Sequence, residues 1–219
     1  MSPDSRGPIG LLGGSFDPIH IGHVQLAGDA LALLDLARVL FIPAGQAWQK
    51  GGAADATHRA RMVELAIGPE PRFALDRREL VRPGPSFTVD TLRQLRNELG
   101  ELRPLVLLIG ADQFERLDTW HRWEQLIELA HLGVAVRDGY GASLKPALAA
   151  LSARHLGSAL EVARQPAGVL VPIAMQPVDC SSTQIRALLG DPASRDGATV
   201  AALLAPDVLR YIGQHRLYC

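Results

Sequence analysis

Residues 9–23 read IGLLGGSFDPIHIGH, an apolar run that ends in two glycines and is followed by two histidines three residues apart. The apolar run is short and does not alternate with polar residues, which is typical of a strand buried on both faces of a parallel sheet. The glycines allow a tight turn, and a helix can begin at Ile21 or Gly22. The stretch therefore predicts a strand, a turn and a helix, with His20 and His23 on one face of the first helical turn.

The pattern of an apolar run followed by a helical segment recurs along the chain. Four further runs have the length of a strand: RVLFIP (38–43), LVLLIG (105–110), LGVAV (132–136) and GVLVPI (168–173). Segments with helical periodicity lie between them, as at 24–37 and 88–99. The alternation predicts an α/β protein, a doubly wound parallel sheet with helices on both faces.

The remaining segments suggest how the chain is organised. A loop is expected at 45–58, which is rich in glycine and small residues, and the alanine-rich segment 139–165 is expected to be helical. We predict a single domain over residues 1–219, with an α/β core at 9–175 and a small helical part at 176–219. Ligands of such sheets bind at the carboxyl ends of the strands.

Charge and composition argue against several classes of function. The 22 basic and 23 acidic residues give a net charge of −1, so no strong positive field would attract nucleic acid. The two cysteines, Cys180 and Cys219, match no zinc or disulfide spacing, which fits a reducing compartment. The sequence has no signal-peptide pattern and no apolar stretch of the roughly 18 to 20 residues that a membrane span needs. We expect a soluble cytoplasmic protein without nucleic-acid or membrane partners. The sequence does not determine the oligomeric state, and a homo-oligomer is compatible with it.

The residues of GGSFDPIHIGH alone leave three interpretations open. The N-terminus of the helix would favour a phosphate group. The histidines could instead cap or pack a simple strand–turn–helix junction. A metal could be held by His20, His23 and Asp17, although a third clustered His or Cys is absent. The segment is not a Walker A loop, because the Gly-Lys-Ser/Thr end is missing.

Residues 13–23 closely resemble the signature of the HxGH nucleotidyltransferases, which transfer an adenylyl or cytidylyl group from a nucleoside triphosphate. The resemblance implies a Rossmann-like fold. It also implies that His20 and His23 are catalytic, contacting the triphosphate and stabilising charge on the phosphorus under attack.

The segment CSSTQIRALL near the C-terminus is similar to the ISSTxIR motif of the same family. From the residues alone, Ser181 and Gln184 form the pattern of a helix cap. Arg186 lies one turn from Ser182 and Thr183, so that hydroxyls and a guanidinium could meet on one anion. The resemblance implies that this anion is the β,γ-phosphate region of ATP.

The resemblance implies a full set of ATP-binding residues, with Mg²⁺ as cofactor accompanying ATP and no metal ligands assigned in the protein. Most members of the set follow the first strand, follow LVLLI or lie in SSTQIR. They are Gly13, Gly14, Ser15, Phe16, His20, His23, Gly110, Asp112, Ser182, Thr183 and Arg186. Asp112 is implied to face the nucleotide ribose, although it could equally cap a helix.

The middle of the sequence distinguishes subfamilies. RPGPSFTVDTLRQLR (82–96), LIGADQFERLDTWHRW (108–123) and HRARMVELAI (58–67) resemble bacterial nicotinate-nucleotide adenylyltransferases, which make nicotinate adenine dinucleotide and pyrophosphate from ATP and nicotinate mononucleotide. The alternative enzymes are phosphopantetheine adenylyltransferase, which shares the first motif but has a shorter chain, and another HxGH nucleotidyltransferase. The alternative outside enzymes is a dinucleotide-binding module, although GGSFDP is not the GxGxxG pattern.

This resemblance implies that four residues bind the substrate: Lys50, Thr88, Trp120 and Arg137. The backbone at Thr88 would bind the nicotinate carboxylate, although Thr88 could also cap a helix that begins at Val89. Trp120 would face the pyridine ring, although a tryptophan at helical spacing from Trp123 is also typical of a core stripe. A solvated charge would explain Arg137 equally well. Many members have PPHK or PPHR where this chain has QAWQK. Lys50 therefore retains the basic residue that ends the family motif, but Gln49 replaces the family histidine.

The implied reaction is an in-line attack of the 5′-phosphate of nicotinate mononucleotide on the α-phosphorus of ATP. Because the attacking phosphate is already ionised, neither a general base nor a covalent intermediate is required. His20 and His23 with Mg²⁺ would act at the α-phosphate, where they align two anions and stabilise developing charge. Ser182, Thr183 and Arg186 would hold the leaving pyrophosphate.

Overall fold

The computed structural model describes residues 7–45, 54–136, 144–176, 178–194 and 197–218. The strands in these residues are β1 (Ile9–Gly14), β2 (Arg38–Pro43), β3 (Phe73–Leu75), β4 (Leu105–Ile109), β5 (His131–Val136) and β6 (Leu170–Ala174). They form a sheet in the order β3-β2-β1-β4-β5-β6. The pairs β1–β4, β4–β5 and β5–β6 are parallel, with Leu11 opposite Leu107 in the first pair.

Helices follow most strands along the chain. Their bounds are α1 (Ile21–Leu33), α2 (Ala56–Ile67), α3 (Thr88–Leu99), α4 (Ala111–Phe114), α5 (Leu126–Leu129), α6 (Pro146–His155), α7 (Ala159–Arg164), α8 (Ser182–Gly190), α9 (Ala198–Leu203) and α10 (Pro206–His215). Short 3-10 turns at Leu117–Thr119 and Trp123–Gln125 lie between α4 and α5.

The chain divides into two compact units, of which the first comprises Met1–Gly13, Leu26–Leu40 and Ser86–Pro177. Every residue of β4 is buried, which explains its continuous apolar run. The strand order reverses between β1 and β4, and this is where open α/β sheets bind their ligands. Gly13 lies near the end of β1 and Gly110 directly follows β4.

The second unit comprises Gly14–Gln25, Phe41–Pro85 and Val178–Cys219. It has apolar buried residues of its own, among them Phe16, Ile19, Phe41, Val63, Ile185 and Ile212. Within it, α10 packs against α2. This unit contains residues 14–23 of the first motif and the whole of SSTQIR.

The predicted fold class is confirmed. Each apolar run of the sequence forms a strand, α1 begins at Ile21, and α6 and α7 lie in the alanine-rich segment 139–165. The periodicity at 24–37 overestimates α1, which ends at Leu33, because the chain turns with Asp35 at φ 46°. No run predicted β3, which is only three residues long.

Residues 46–53 of the predicted loop at 45–58 lie outside the described residues, and the prediction is too long at its C-terminal end. α2 begins at Ala56 because the Asp55 side chain accepts a hydrogen bond from the Thr57 N–H at 2.7 Å and so caps the helix. The single domain over residues 1–219 stays a prediction. In the part of the chain that the structure describes, no helix combines the length and the apolar character that crossing a membrane requires.

Candidate active site

The loop between β1 and α1 is fixed by the buried ring of Phe16 in the second unit. Phe16 is 1% exposed and has φ 49°, a left-handed conformation that costs a non-glycine residue roughly 1–2 kcal/mol. Its ring centroid lies 5.1 Å from that of His23 and 6.1 Å from that of Phe41. Burial of the ring offsets the backbone strain and holds the turn that leads to the histidines.

His20 and His23 form a stacked pair at the start of α1. Their ring centroids are 3.8 Å apart, and the His20 backbone N–H donates to Nδ1 of His23 at 3.2 Å. Burial lowers the pKa of His23 well below its ordinary value, and the adjacent His20 imidazole lowers it further. His23 is therefore neutral, with Nδ1 as acceptor and its proton on Nε2. It presents one N–H donor rather than a full positive charge.

We expect NMR titration of the free protein to give His23 a pKa below the ordinary value of about 6.5 and to show the Nε2–H tautomer. Because the unfolded chain takes up a proton near pH 6.5 and the folded chain does not, His23 stabilises the fold above that pH. This contribution is lost as the pH falls towards the folded-state pKa. A His23 that titrates at or above 6.5, or that carries its proton on Nδ1, would contradict the assignment.

The N-terminus of α8 contacts the loop before α1, within the same unit. The Sγ atom of Cys180 lies 3.2 Å from Nδ1 of His20, and the Ser182 hydroxyl donates to the carbonyl oxygen of Pro18 at 3.0 Å. Ser181 caps α8 by accepting from the Gln184 N–H at 3.2 Å, as predicted. Two motifs that are separated by 160 residues in sequence therefore form one cluster.

Arg186 is oriented by three groups. Its Nη1 donates to the carbonyl oxygen of Asp17 at 2.6 Å and lies 3.5 Å from the Asp17 carboxylate, while Nη2 donates to the Thr183 hydroxyl at 3.4 Å. The guanidinium side chain keeps 19% of its surface exposed. It is therefore a fixed cation that can still reach an anion.

Arg59 is a second cation in this unit, but it is only 1% exposed. Its donors bind four carbonyl oxygens, those of Ser15 at 2.7 Å, Ala44 at 2.8 Å, Gly45 at 3.2 Å and Ala54 at 3.2 Å. These acceptors lie in the loop after β1, in the loop after β2 and just before α2. Arg59 therefore ties the backbone of the histidine-bearing loop to the loop that follows β2.

Gly22 allows the close packing of His20 and Cys180. A Cβ atom at this position would lie 3.2 Å from Nδ1 of His20 and 3.4 Å from Sγ of Cys180. We expect Gly22→Ala to lower kcat by roughly tenfold, since misplaced catalytic groups cost this much or more, while helix propensity keeps or raises the melting temperature. The control is Gly28→Ala in the same helix, because a Cβ there meets nothing within 4 Å. Equal activity of the two variants would contradict the role assigned to this packing.

In the first unit, the segments around Thr88 and Trp120 are brought together. The ring centroids of Phe87 and His121, their chain neighbours, are 4.4 Å apart with an interplanar angle of 32°. Thr88 is the first residue of α3, which follows Phe87, so the prediction that Thr88 caps a helix beginning at Val89 is wrong by one position.

The alternative interpretation of Trp120 and Trp123, as part of a core stripe on a helix, is wrong. Trp120 has extended backbone between two 3-10 turns, and Arg122 adopts φ 52°, which breaks any helix at this point. Both tryptophans remain partly exposed, whereas Ile127 farther along is buried. Trp120 is therefore not a core residue.

The other predicted nucleotide residues of the first unit lie near strand ends. Gly13 is exposed, with open space where a Cβ would stand. Gly110 precedes α4 as its N-cap residue, so Asp112 lies in the first turn of that helix and is exposed rather than being the cap. Lys50 and Arg137 fall outside the described residues.

Sequence reasoning missed roles for Asp17, Arg59, Cys180 and Tyr218. Arg59 lies in the segment HRARM and Cys180 begins CSSTQIR, so both belong to segments that resemble the family, but the resemblance assigns neither residue a role. Among the described residues, no group of three or more His, Cys, Asp or Glu side chains could hold a metal ion.

Comparisons with known proteins place this geometry in context. Residues 11–188 match the family model described as cytidylyltransferase-like. The "probable nicotinate-nucleotide adenylyltransferase" of Dechloromonas aromatica is 44% identical over 217 residues, which cover 96% of this chain and 97% of the relative. The protein of the same description from Laribacter hongkongensis is 44% identical over 216 residues, covering 97% and 95%.

Solved structures share the fold at low sequence identity. "Plasmodium falciparum nicotinic acid mononucleotide adenylyltransferase complexed with NaAD" is 18% identical and superposes with a TM-score of 0.73, covering 97% of this chain and 98% of the other. The same protein complexed with APC gives a TM-score of 0.72 with the same coverage. The likeness extends over nearly the whole length of both chains.

Proposed function

The chain belongs to the cytidylyltransferase-like family, and from that premise we propose that it is a nicotinate-nucleotide adenylyltransferase. It transfers AMP from ATP to nicotinate mononucleotide and releases nicotinate adenine dinucleotide and pyrophosphate. The reaction belongs to NAD biosynthesis, and its location is the cytoplasm.

The observation that carries this proposal is the contact between the two motifs in the second unit. The Cys180 thiol meets His20, Ser182 meets the Pro18 carbonyl, and Arg186 meets Asp17. These contacts gather imidazoles, hydroxyls and a guanidinium into one cluster, as a triphosphate requires. The full-length likeness to relatives described as nicotinate-nucleotide adenylyltransferases specifies which triphosphate chemistry it is.

The residues of this cluster stabilise charge rather than move protons. The 5′-phosphate of nicotinate mononucleotide is already ionised, so its oxygen attacks the α-phosphorus of ATP without a general base. His20 and His23 act at the α-phosphate, and the neutral His23 donates its Nε2–H to the charge that develops there. The leaving pyrophosphate is held by the Ser182 backbone N–H at the start of α8, the Thr183 hydroxyl and the Arg186 guanidinium, while the Ser182 hydroxyl stays bonded to the Pro18 carbonyl. Fixing these donors in advance removes much of the cost of aligning two anions.

The acceptor is bound by the segments around Thr88 and Trp120. Phe87 offers no side-chain cap to α3, and the Asp90 N–H already donates to the Phe87 carbonyl at 3.0 Å. The N–H groups of Thr88 and Val89 are the donors that suit an anion such as the nicotinate carboxylate. The partly exposed Trp120 provides a flat aromatic surface for the pyridine ring. Lys50 and Arg137, which lie outside the described residues, belong to the same proposal as further substrate-binding residues.

The remaining predicted residues bind ATP. Gly13 and Gly14 allow close approach of the nucleotide to the backbone, and Ser15 and Phe16 continue this loop. Gly110 lies beside the nucleotide, and Asp112 accepts hydrogen bonds from the ribose.

Mg²⁺ enters with ATP as part of the substrate. Within the described residues no three His, Cys, Asp or Glu side chains stand together, and Oδ1 of Asp17 accepts from the Ala54 N–H and the Tyr218 hydroxyl. A hard cation that keeps its waters and binds phosphate oxygens fits this arrangement.

Pyrophosphate release with a panel of acceptors tests the proposed function. The purified protein with ATP and Mg²⁺ is given nicotinate mononucleotide, nicotinamide mononucleotide or phosphopantetheine. We expect rapid release with the first and much slower release with the second, because backbone N–H donors at α3 suit a carboxylate.

Each other outcome of this assay overturns part of the proposal. Preference for phosphopantetheine would identify the alternative adenylyltransferase. Binding of ATP without release by any acceptor would favour a dinucleotide-binding module. Equal efficiency with the two mononucleotides would refute the role given to the N-terminus of α3.

A further inference from the structure

Asp17 is a buried carboxylate to which the reaction described above gives no role. It is 1% exposed, and its Oδ1 accepts hydrogen bonds from the Ala54 N–H at 2.9 Å and from the Tyr218 hydroxyl at 2.7 Å. Arg186 donates to its backbone carbonyl oxygen at 2.6 Å and forms an ion pair with Oδ2 at 3.5 Å, while no hydrogen bond reaches Oδ2 within the described residues. One residue of the signature therefore connects the arginine of the C-terminal motif to the penultimate residue of the chain.

The chain after α10 is bent so that Tyr218 can make this contact. Arg216 is left-handed at φ 50°, and the Leu217 N–H donates to the Ile212 carbonyl at 3.1 Å, which is the bond of a Schellman turn. Tyr218 itself has φ 64°. Non-glycine residues rarely adopt this conformation, so two of them close together need a compensating contact. The hydrogen bond from the phenol to the carboxylate is such a contact.

The phenol is the donor in this pair. Burial raises the pKa of Tyr218, and the neighbouring Asp17 raises it further, so the hydroxyl stays protonated. A hydrogen bond to a carboxylate is stronger than one between neutral groups. Asp17 is held on one side by this bond and on the other by the Arg186 guanidinium, so a change in its orientation displaces that cation.

We propose that Tyr218 is a positioning residue for adenylyl transfer, whose hydroxyl holds Asp17 in the orientation that sets Arg186 for the triphosphate. This inference rests on the proposed function, because it assigns Arg186 to ATP. Tyr218 touches neither substrate and acts through Asp17.

The test compares Tyr218→Phe with Tyr211→Phe. Tyr211 is a matched control, because it lies in α10 and its hydroxyl is 2.9 Å from Nδ1 of His58, outside the phosphate cluster. We expect Tyr218→Phe to lower kcat/KM for ATP by roughly tenfold or more, because the variant loses one hydrogen bond to a charged group. The KM for nicotinate mononucleotide stays unchanged. Tyr211→Phe keeps the kinetics of the native protein.

A merely structural role would give a different result. It would lower the melting temperature of Tyr218→Phe while leaving its KM for ATP and its kcat at native values, and that result overturns the inference. A double-mutant cycle of Tyr218→Phe and Asp17→Asn adds a second check, since the effects of substitutions at coupled residues do not add. We expect Tyr218→Phe to have little further effect on ATP affinity in the Asp17→Asn background, and full additivity would overturn the inference. If Tyr218→Phe does not fold, Asp17→Asn alone must weaken ATP binding.

Failure of the inference and failure of the proposed function are distinguishable. A native protein that releases no pyrophosphate from ATP and nicotinate mononucleotide contradicts the function. A native protein that does so, together with a Tyr218→Phe variant of native kcat/KM for ATP, contradicts only the role of Tyr218.

Discussion

His23→Ala is expected to lower kcat by at least about a hundredfold, the cost of removing one donor from a transition state that develops negative charge. The structure gives the physical reason, because the His20 backbone N–H occupies Nδ1 of His23 and leaves Nε2–H as the donor. Rates of pyrophosphate release measure the effect. Circular dichroism and the melting temperature should stay close to those of the native protein, since His23 keeps part of its surface exposed and is not among the buried core residues.

The control for this variant is His215→Ala. His215 is an exposed histidine at the end of α10, in ring contact with Tyr211 and His58. We expect its rate to match that of the native protein. A His23→Ala variant that retains most of the native rate would exclude the catalytic role of His23.

Arg59→Met is expected to destabilise the protein by about 3–5 kcal/mol, measured as the free energy of unfolding in urea. The substitution keeps much of the side-chain volume but leaves the carbonyl oxygens of Ser15, Ala44 and Ala54 without their charged donor. Buried carbonyl groups without a partner carry the full cost of desolvation. Activity of the folded fraction should also fall, because Ser15 begins the loop that leads to the histidines.

Arg61→Met is the matched control, two residues along the same helix. Arg61 is exposed and pairs with Glu64 at 3.1 Å, and exposed pairs of this kind contribute about 0–1 kcal/mol. We expect its free energy of unfolding to stay close to the native value. A similar loss in both variants, or a loss below about 1 kcal/mol for Arg59→Met, would contradict the role of Arg59 as a buried tie between loops.

The strands could be predicted from sequence because a strand buried on both faces must be continuously apolar, as β4 is. The three residues of β3 give no such run, and its place in the sheet depends on neighbouring strands. The interpretation of Trp120 and Trp123 as a helical stripe is wrong for a different reason. Helical spacing is necessary for a helix, but the left-handed Arg122 interrupts it, and nothing in the local pattern signals that conformation.

The candidate site was only partly predictable. His20 and the SSTQIR segment stand in local patterns, so spacing and resemblance could identify them. Asp17 and Tyr218 are 201 residues apart, and Arg59 binds backbone carbonyls that any sequence would offer. Such contacts depend on tertiary structure and leave no periodic signal in the chain.

The central claim is that the cluster of imidazoles, hydroxyls and guanidinium in the second unit promotes adenylyl transfer from ATP to nicotinate mononucleotide. The most direct measurement is quantitative product analysis of purified native protein and His23→Ala with both substrates and Mg²⁺. We predict that the native protein forms nicotinate adenine dinucleotide and pyrophosphate in equal amounts, and that His23→Ala forms neither at a comparable rate. Hydrolysis of ATP without the dinucleotide, or equal dinucleotide formation by both proteins, would contradict the account.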